Sequence, residues 1–304
     1  MIALIIGYGS IGRRHYQIAK KSKKFKRVYI LTKQKISKPH VIKRLIEIDS
    51  INPDYIVVCN QTTKHYKTLK YLEKKLKNKK ILIEKPLFEK FKRIKIKKNK
   101  IFVGYNLRFD PMIEYLRSKI KGKKIKLLSL SCDSYLPKWR NNIHYSNSSS
   151  AQKIHGGGIE NDLSHEFDLI YFLTGDYKIL SGTLKKLSNL KINTSDYLLM
   201  QAKNNLCKQI HLHMNIFNFF TSRKILVITD NNSIEVDLIN RKVIYSNKNH
   251  TKKINFLKLT RNFTYEMQMN SILKNFDYKL CNLKKGLFNL KKIANFRKKC
   301  QLFV

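Results

Sequence analysis

Short apolar runs alternate with amphipathic stretches through the first hundred residues. Ile2–Ile6 (IALII) reads as a strand that stops at glycine, and 11–24 reads as a helix on which Ile11, Ile18 and Ala19 share one face. Residues 28–31 predict a second strand. A third, 55–59 (YIVVC), is introduced by the turn pair Asn52-Pro53. Helical spacing of Leu69, Leu72 and Leu76 marks 63–77, and 81–83 and 101–103 predict two more strands. Strands and helices in strict alternation are joined by right-handed crossovers into a parallel sheet covered on both faces. This half is expected to be α/β and doubly wound.

Beyond about residue 123 the pattern changes. Strand-like runs at 124–135, 179–187, 196–203, 207–216, 224–229, 233–238 and 241–246 surround one helical pattern near 160–174. Asn, Asp, Ser and Gly turns separate them, which predicts an α+β domain with an open, mostly antiparallel sheet. Segments 262–280 and 284–298 read as closing helices. The expected organisation is two domains, 1–122 and 123–304, packed with a cleft between them and no low-complexity linker.

Composition narrows the class. The 304 residues are 42% hydrophobic and 11% aromatic, too much for a disordered polybasic tail, and long enough for two cores. No apolar run approaches the roughly 20 residues of a membrane span, and the start, MIALIIGYGSIG, lacks the basic n-region of a secretory signal. Five cysteines lie far apart with no metal-binding spacing, so a reduced, cytoplasmic chain without a metal site is expected. Net charge is +43, from 63 Lys plus Arg against 20 Asp plus Glu. Of the 63, 51 are Lys, spread along the whole chain beside abundant Asn, Ile, Phe and Tyr. That joint bias fits an A- and T-rich codon pool better than a nucleic-acid footprint, which clusters its cations on one face.

The first chemical motif is Gly7-Tyr8-Gly9-Ser10-Ile11-Gly12, a GxGxxG between a predicted strand and a predicted helix. Gly7 suits the tight turn, Gly9 lets a pyrophosphate approach the backbone, and Gly12 permits close helix–strand packing. The free N–H groups of the helix start, around Ser10 and Ile11, then hold the phosphates. This makes the first domain a dinucleotide-binding Rossmann domain. After the second strand comes Thr32-Lys33, with no acid before Glu47. A hydroxyl followed by a cation suits a 2′-phosphate, so NADP is favoured over NAD. Asn60, Thr62 and His65 follow the third strand, and Glu84-Lys85-Pro86 the fourth. These positions lie beyond the carboxyl ends of parallel strands, where such sheets place their ligands. Asn60, Thr62, His65 and Glu84 are cofactor-contact candidates. Lys85 suits a substrate hydroxyl gaining alkoxide character.

The second constellation is GGGIENDLSHEFD, 156–168. On a helix starting near Ile159, Asp162 lies three residues from His165 and four from Glu166, on one face. His165 is suited to take an alcohol proton, with a carboxylate assisting. A polar helix face and a core histidine are the competing readings.

Taken together, GYGSIGRRH, VVCNQTTKH, ILIEKPL, VGYNLRFDP and GGGIENDLSHEFDLIYFLTG resemble, in order and spacing, the Gfo/Idh/MocA family of sugar-type dehydrogenases. The stretch from Tyr135 to Arg140, with Tyr145 and Ser149–Ala151, looks like a branch associated with bacterial surface-sugar pathways. The resemblance implies an NAD(P)-binding Rossmann domain and a C-terminal domain whose sheet serves homo-oligomer assembly. It implies that Lys85 contacts substrate, that His165 is the catalytic acid/base, and that Asp162 or Glu166 is its acidic companion. Many members separate that acid and histidine by four positions; here the spacing is three. Trp139, Arg140 and Tyr145 would line the substrate pocket, Arg140 being suited to a carboxylate or phosphate.

The expected function is hydride transfer between a nicotinamide and a secondary hydroxyl or ketone of a sugar-derived substrate. The alternative is a non-catalytic cofactor-binding or nucleic-acid-associated protein that retains the fold.

Overall fold

The computed structural model describes residues 1–141, 143–275 and 277–301. The chain divides into two compact units, Met1–Asn106 with Thr260–Leu290, and Leu107–Leu259 with Lys291–Val304. The position 122/123 falls inside the second unit. The helix expected over 262–280 belongs to the first.

The first unit is built on a parallel sheet of six strands. These are β1 (Ile2–Ile6), β2 (Arg27–Leu31), β3 (Val41–Ile42), β4 (Tyr55–Val58), β5 (Lys80–Ile83) and β6 (Lys100–Val103), in the order β3-β2-β1-β4-β5-β6. That order reverses direction between β1 and β4, the switch point of a doubly wound sheet. Both faces are covered, so β4 reads as four consecutive buried residues rather than an alternation. Helix α1 (Ser10–Lys21) packs His15, Tyr16, Ile18 and Ala19 inward. After the single turn α2 (Ile48–Ile51), helix α3 (Thr62–Lys75) buries His65, Thr68, Leu69 and Leu72. Leu4, Ile6, Ile56, Val58, Leu69, Ile81 and Ile83 share one core cluster with Leu290 near the chain end.

The second unit carries a mixed sheet of eight strands. Its members are β7 (Ile125–Tyr135), β8 (Lys178–Lys185), β9 (Tyr197–Lys203), β10 (Cys207–Asn215), β11 (Phe217–Thr229), β12 (Ser233–Asp237), β13 (Lys242–Ser246) and β14 (Thr251–Asn255). The order is β14-β13-β12-β11-β7-β10-β9-β8, antiparallel except for the β7–β10 pair. One face is packed and the other open: Leu198, Met200 and Ala202 of β9 are fully buried, while Leu199, Gln201 and Lys203 between them are exposed. Helix α4 (Pro111–Ile120) is not among the expected elements, although it carries its own start signal. Asp110 caps it by accepting from Met112 N–H at 2.9 Å, and Pro111 occupies the first turn.

The helix expected over 160–174 is two helices, α5 (Ile159–Asp162) and α6 (His165–Thr174), broken at Leu163 and Ser164. Helix α7 (Phe263–Lys274) belongs to the first unit. Helix α8 (Leu283–Gln301) contributes to the first unit as far as Leu290 and to the second from Lys291. In the second unit Phe296 of α8 stands 6.1 Å from Phe167 of α6, edge-on, over Gly182 of β8. All five cysteines are free thiols and buried.

Candidate active site

Each unit contributes one set of candidate side chains. In the first, the glycine loop joins β1 to α1 at the switch point. Gly7 has φ +99°, and a Cβ there would lie 2.6 Å from Asn60 N, so only glycine lets the loops after β1 and β4 meet. A Cβ on Gly12 would lie 2.1 Å from the Gly7 carbonyl oxygen, which fixes how closely α1 starts against the strand. Gly9 is different: a Cβ there would meet nothing within 4 Å. It faces open space at a helix start with no side-chain cap and no acidic residue in the first turn. The first N–H groups of α1 have no intrahelical acceptor. Beside them the Asn60 side chain donates to Thr68 Oγ1 at 3.0 Å, while its buried Oδ1 has no partner among the described residues. Glycines that pack the loop, one glycine left open and uncapped N–H groups fit a dinucleotide pyrophosphate.

At the end of β2, Thr32 is buried and its Oγ1 accepts from Gln34 N–H at 3.2 Å, which leaves its own O–H able to donate. Lys33 is exposed. The short β3 brings Lys43 to the same turn, where its Nζ donates to the Gln34 carbonyl at 2.7 Å. The turn that follows Thr32 thus carries Lys33 and meets the Lys43 side chain, while the Glu47 carboxylate accepts from the Lys43 N–H at 3.3 Å. Lys43 carries no sequence signal, because only the β2–β3 pairing puts it there.

His65 is enclosed. Nδ1 is 3.2 Å from both the Pro86 and Leu87 carbonyls, and Nε2 is 3.1 Å from the Asn60 carbonyl. It ties the loop after β4 to the loop after β5, so its side chain is spent on those loops rather than presented to a ligand. Burial lowers its pKa, against the opposing pull of the three carbonyls. Thr62, half-buried, opens α3.

Glu84 ends β5 and is buried. Its Oε1 lies 2.6 Å from His15 Nε2, and its Oε2 accepts the Lys85 N–H at 3.2 Å. A carboxylate in this place fixes the backbone from which Lys85 projects. The Lys85–Pro86 peptide is cis. Tyr265 of α7 stacks edge-on against His15 at 5.5 Å and under the Arg14 guanidinium at 4.9 Å. Burial, with Glu84 adding to it, pushes the Tyr265 phenol up to about 12. His15 and Tyr265 have no motif; they join the candidate site only by packing around Glu84.

In the second unit, Gly158 (φ +127°) opens α5 and Asp162 closes it. The Asp162 carboxylate accepts from Ser150 Oγ at 3.0 Å and from Gly158 N–H at 3.3 Å. His165 is the first residue of α6. The break at 163–164 overturns the argument from a shared helical face; a tight connection between two helices sets the pair instead. The neighbouring acids are committed elsewhere. Glu166, buried, pairs with Arg223, whose Nε is 2.7 Å away. Asp168 takes a two-pronged contact from Arg108 at 2.7 and 2.6 Å. Glu160 pairs with Arg297 at 2.8 and 2.7 Å. Trp139, Arg140 and Tyr145 come together with Leu136, Ser148 and Ser150 around a crevice of about 10 Å3, room for a water and not for a sugar, beside the Ser150 hydroxyl that holds Asp162. Trp139 Nε1 donates to Ser134 at 3.1 Å, and the buried Ser148 hydroxyl has no partner among the described residues. Among the described residues no group of His, Cys, Asp and Glu could hold a metal, and no helix is long and apolar enough to cross a membrane.

No protein-family model and no curated protein sequence matches the chain. Solved structures do share its fold. A UDP-N-acetylglucosamine 3-dehydrogenase from Acidithiobacillus ferrooxidans is 14% identical with a TM-score of 0.76, over 100% of this chain and 98% of that one. A dehydrogenase from Clostridium difficile is 16% identical with a TM-score of 0.75, over 100% and 99%. An oxidoreductase from Agrobacterium radiobacter, solved with NAD+, L-tartaric acid and magnesium, is 11% identical with a TM-score of 0.80, over 99% and 96%. The two-domain architecture of this chain is therefore one found among dehydrogenases and oxidoreductases. At these identities the likeness is one of fold.

Proposed function

We propose that the chain is an NAD(P)-dependent oxidoreductase. It would transfer hydride between the nicotinamide and a secondary hydroxyl or ketone carbon of a sugar or sugar-derived substrate, nucleotide-linked or acidic. The observation that carries this reading is the glycine loop: Gly7 and Gly12 packed to the limit, Gly9 open, and an uncapped helix start at the switch point of the sheet. The first unit takes the dinucleotide, and the second takes the substrate and serves assembly through its open sheet face as a homo-oligomer. Sugar-type chemistry is supported by the dehydrogenase described as acting on UDP-N-acetylglucosamine and by the structure holding L-tartaric acid. The motif resemblance extends the proposal to the Gfo/Idh/MocA family and its surface-sugar branch. Free thiols fit work in the reducing cytoplasm.

When bound, the nicotinamide ring accepts hydride from the substrate carbon or returns it. The chain's own residues do the rest. Gly7, Gly9, Gly12 and the N–H groups of Ser10 and Ile11 hold the phosphates, with Asn60, Thr62 and Glu84 bordering the loop ends. Thr32, Lys33 and Lys43 favour NADP by offering a donor and two cations to a 2′-phosphate. Lys85 donates to the substrate oxygen and stabilises its negative charge as the C–H bond weakens. His165 takes the hydroxyl proton during oxidation and returns it during reduction. Asp162, held by Ser150 and Gly158, is the acid that assists His165, since Glu166 is committed to Arg223. Trp139, Arg140 and Tyr145 line the substrate side, with Arg140 binding a carboxylate or phosphate.

The test is a screen of sugar acids and nucleotide sugars that follows NAD(P)H absorbance. Lys85→Ala and His165→Asn are expected to lower turnover by roughly 100-fold or more. Full activity in either variant sinks the assignment, and failure of the purified protein to bind NADP or NAD sinks the whole reading.

A further inference from the structure

We propose that the second unit carries a separate binding site for a small polyphosphate anion. It lies in a cleft of about 570 Å3 formed by the end of α6, the outer strands β8 and β9, and α8. That volume falls within the roughly 300–1,000 Å3 of small-molecule sites. The cleft is at the opposite end of α6 from His165, and the inference does not rest on the oxidoreductase reading.

Four lysines line it, Lys178, Lys203, Lys292 and Lys299, against one carboxylate, Asp176. Lysine is abundant on the whole exposed surface, so their number alone decides nothing. Their arrangement is more telling than their number. Lys178 and Lys203 are direct cross-strand partners on β8 and β9, so two like charges face each other across an antiparallel pair, which opposes strand pairing. Lys292 and Lys299 project from α8 seven residues apart, with Asn295 between them, as one stripe into the same cleft. Among the described residues only Lys292 has a carboxylate partner: its Nζ lies 2.6 Å from Asp176 and also donates to the Tyr177 carbonyl. Lys299 Nζ is held by the Leu180 carbonyl at 3.3 Å, a contact that orients the ammonium without cancelling its charge.

Lys178, Lys203 and Lys299 thus line one cleft with no carboxylate paired to them among the described residues. A ligand with several negative charges would relieve the repulsion that the folded chain builds in. Lysine binds phosphate as a point charge without demanding a planar, two-pronged partner, and the amides of Asn205 and Asn295 at the rim add neutral donors. This chemistry selects a compact molecule carrying linked phosphates over an apolar or cationic one.

The test uses inorganic triphosphate as the probe, titrated by calorimetry into wild-type protein, a cleft variant (Lys203→Ala with Lys299→Ala) and a charge-matched control (Lys248→Ala with Lys252→Ala). The control lysines are exposed near the opposite edge of the same sheet. Any phosphate held by the glycine loop is common to all three proteins and subtracts out. Triphosphate is expected to bind more tightly than orthophosphate at equal ionic strength. The cleft variant is expected to lose roughly tenfold or more in affinity, and the control less than about twofold. A triphosphate-induced rise in Tm should appear in wild type and control and be absent from the cleft variant. Equal losses in the two variants, or no preference for triphosphate, would overturn the proposal. So would saturation only above about 1 mM while single-stranded DNA binds and is lost in the cleft variant, which would give the cleft to nucleic acid.

Discussion

Gly9→Ala and Gly12→Ala, three residues apart in one loop, should fail in opposite ways. The Gly12 Cβ would lie 2.1 Å from the Gly7 carbonyl oxygen. Even close C–H···O contacts keep roughly 3.3 Å, so the start of α1 must retreat by about 1 Å. The obstacle is backbone, and backbone already braced against Asn60 through Gly7. Overpacking of this kind costs about 1–3 kcal/mol or more. Alanine's better helix propensity returns at most about 1 kcal/mol. A net loss near 2 kcal/mol should appear as an earlier urea midpoint. Gly9 meets nothing within 4 Å, and its φ of −73° is open to any L-residue. Gly9→Ala should therefore stay within about 1 kcal/mol of wild type, the price of a poorer N-cap. Its methyl would instead occupy the approach of a pyrophosphate to the backbone. Dinucleotide affinity should fall by roughly 100-fold, about 2.7 kcal/mol. Urea unfolding and fluorescence titration with NADPH measure the two effects on the same samples. Wild-type NADPH affinity in Gly9→Ala, or equal destabilisation by both substitutions, would refute the assignment of this loop.

Other outcomes follow from the same geometry. Glu84→Gln should lower stability by about 1–3 kcal/mol in urea, because it weakens the buried contact with His15 that anchors the Lys85 backbone. His65, held below its ordinary 6.5 by burial, binds a proton more readily in the unfolded chain. Its contribution is therefore complete above about 6.5 and lost as pH falls below that value, and His65→Gln should flatten the dependence of Tm on pH in that window. Tyr265 is raised from 10.0 to about 12, so its contribution is present below pH 10 and lost as pH rises through 12. Ultraviolet titration of Tyr265→Phe should lack a phenol that ionises near the end of the range. Asp162→Asn should reduce turnover while leaving urea stability nearly intact. Glu166→Gln should do the reverse, costing about 2–4 kcal/mol by leaving the largely buried Arg223 without its carboxylate.

What the sequence revealed depended on how local each signal was. Each long apolar run in the first hundred residues became a strand, because a strand buried on both faces declares itself by continuous Ile, Leu and Val. The two-residue β3 carries no such run and exists only through pairing with Ile30 and Leu31. β14 (TKKIN) has one apolar residue and is held by register against β13. Helix α4 was legible: Met112, Ile113, Leu116 and Ile120 are its buried face behind an Asp cap and a proline. The break at Leu163–Ser164 was not, since 159–174 contains neither Gly nor Pro to announce it. Of the candidate site residues, those in motifs could be named in advance. Those defined by contact could not: His15 behind Glu84, Lys43 beside Gln34 and Ser150 on Asp162 are each joined across many residues of chain.

The lysine excess explains why so much of the chain says little and a few positions say a great deal. Lysine ion pairs such as Lys126–Asp230 and Lys224–Glu235 lie on the surface, where solvent reduces them to small contributions. Four enclosed carboxylates of the second unit are matched instead by arginine: Asp110 by Arg241, Glu160 by Arg297, Glu166 by Arg223 and Asp168 by Arg108. Four of only 12 arginines thus hold enclosed acids, and Arg108 does so at both oxygens of Asp168, a geometry that a lysine point charge could not reproduce. A compositional drift toward lysine can load a surface freely. It cannot remove the guanidinium partner of a buried carboxylate without stranding the acid. Burial therefore separates residues that the composition supplied from residues that the fold selected. By that criterion Asp162 is the acid in 160–168 that suits the role proposed for it: it is half-buried and accepts from a hydroxyl and a backbone amide, where its three neighbours are paired with arginine.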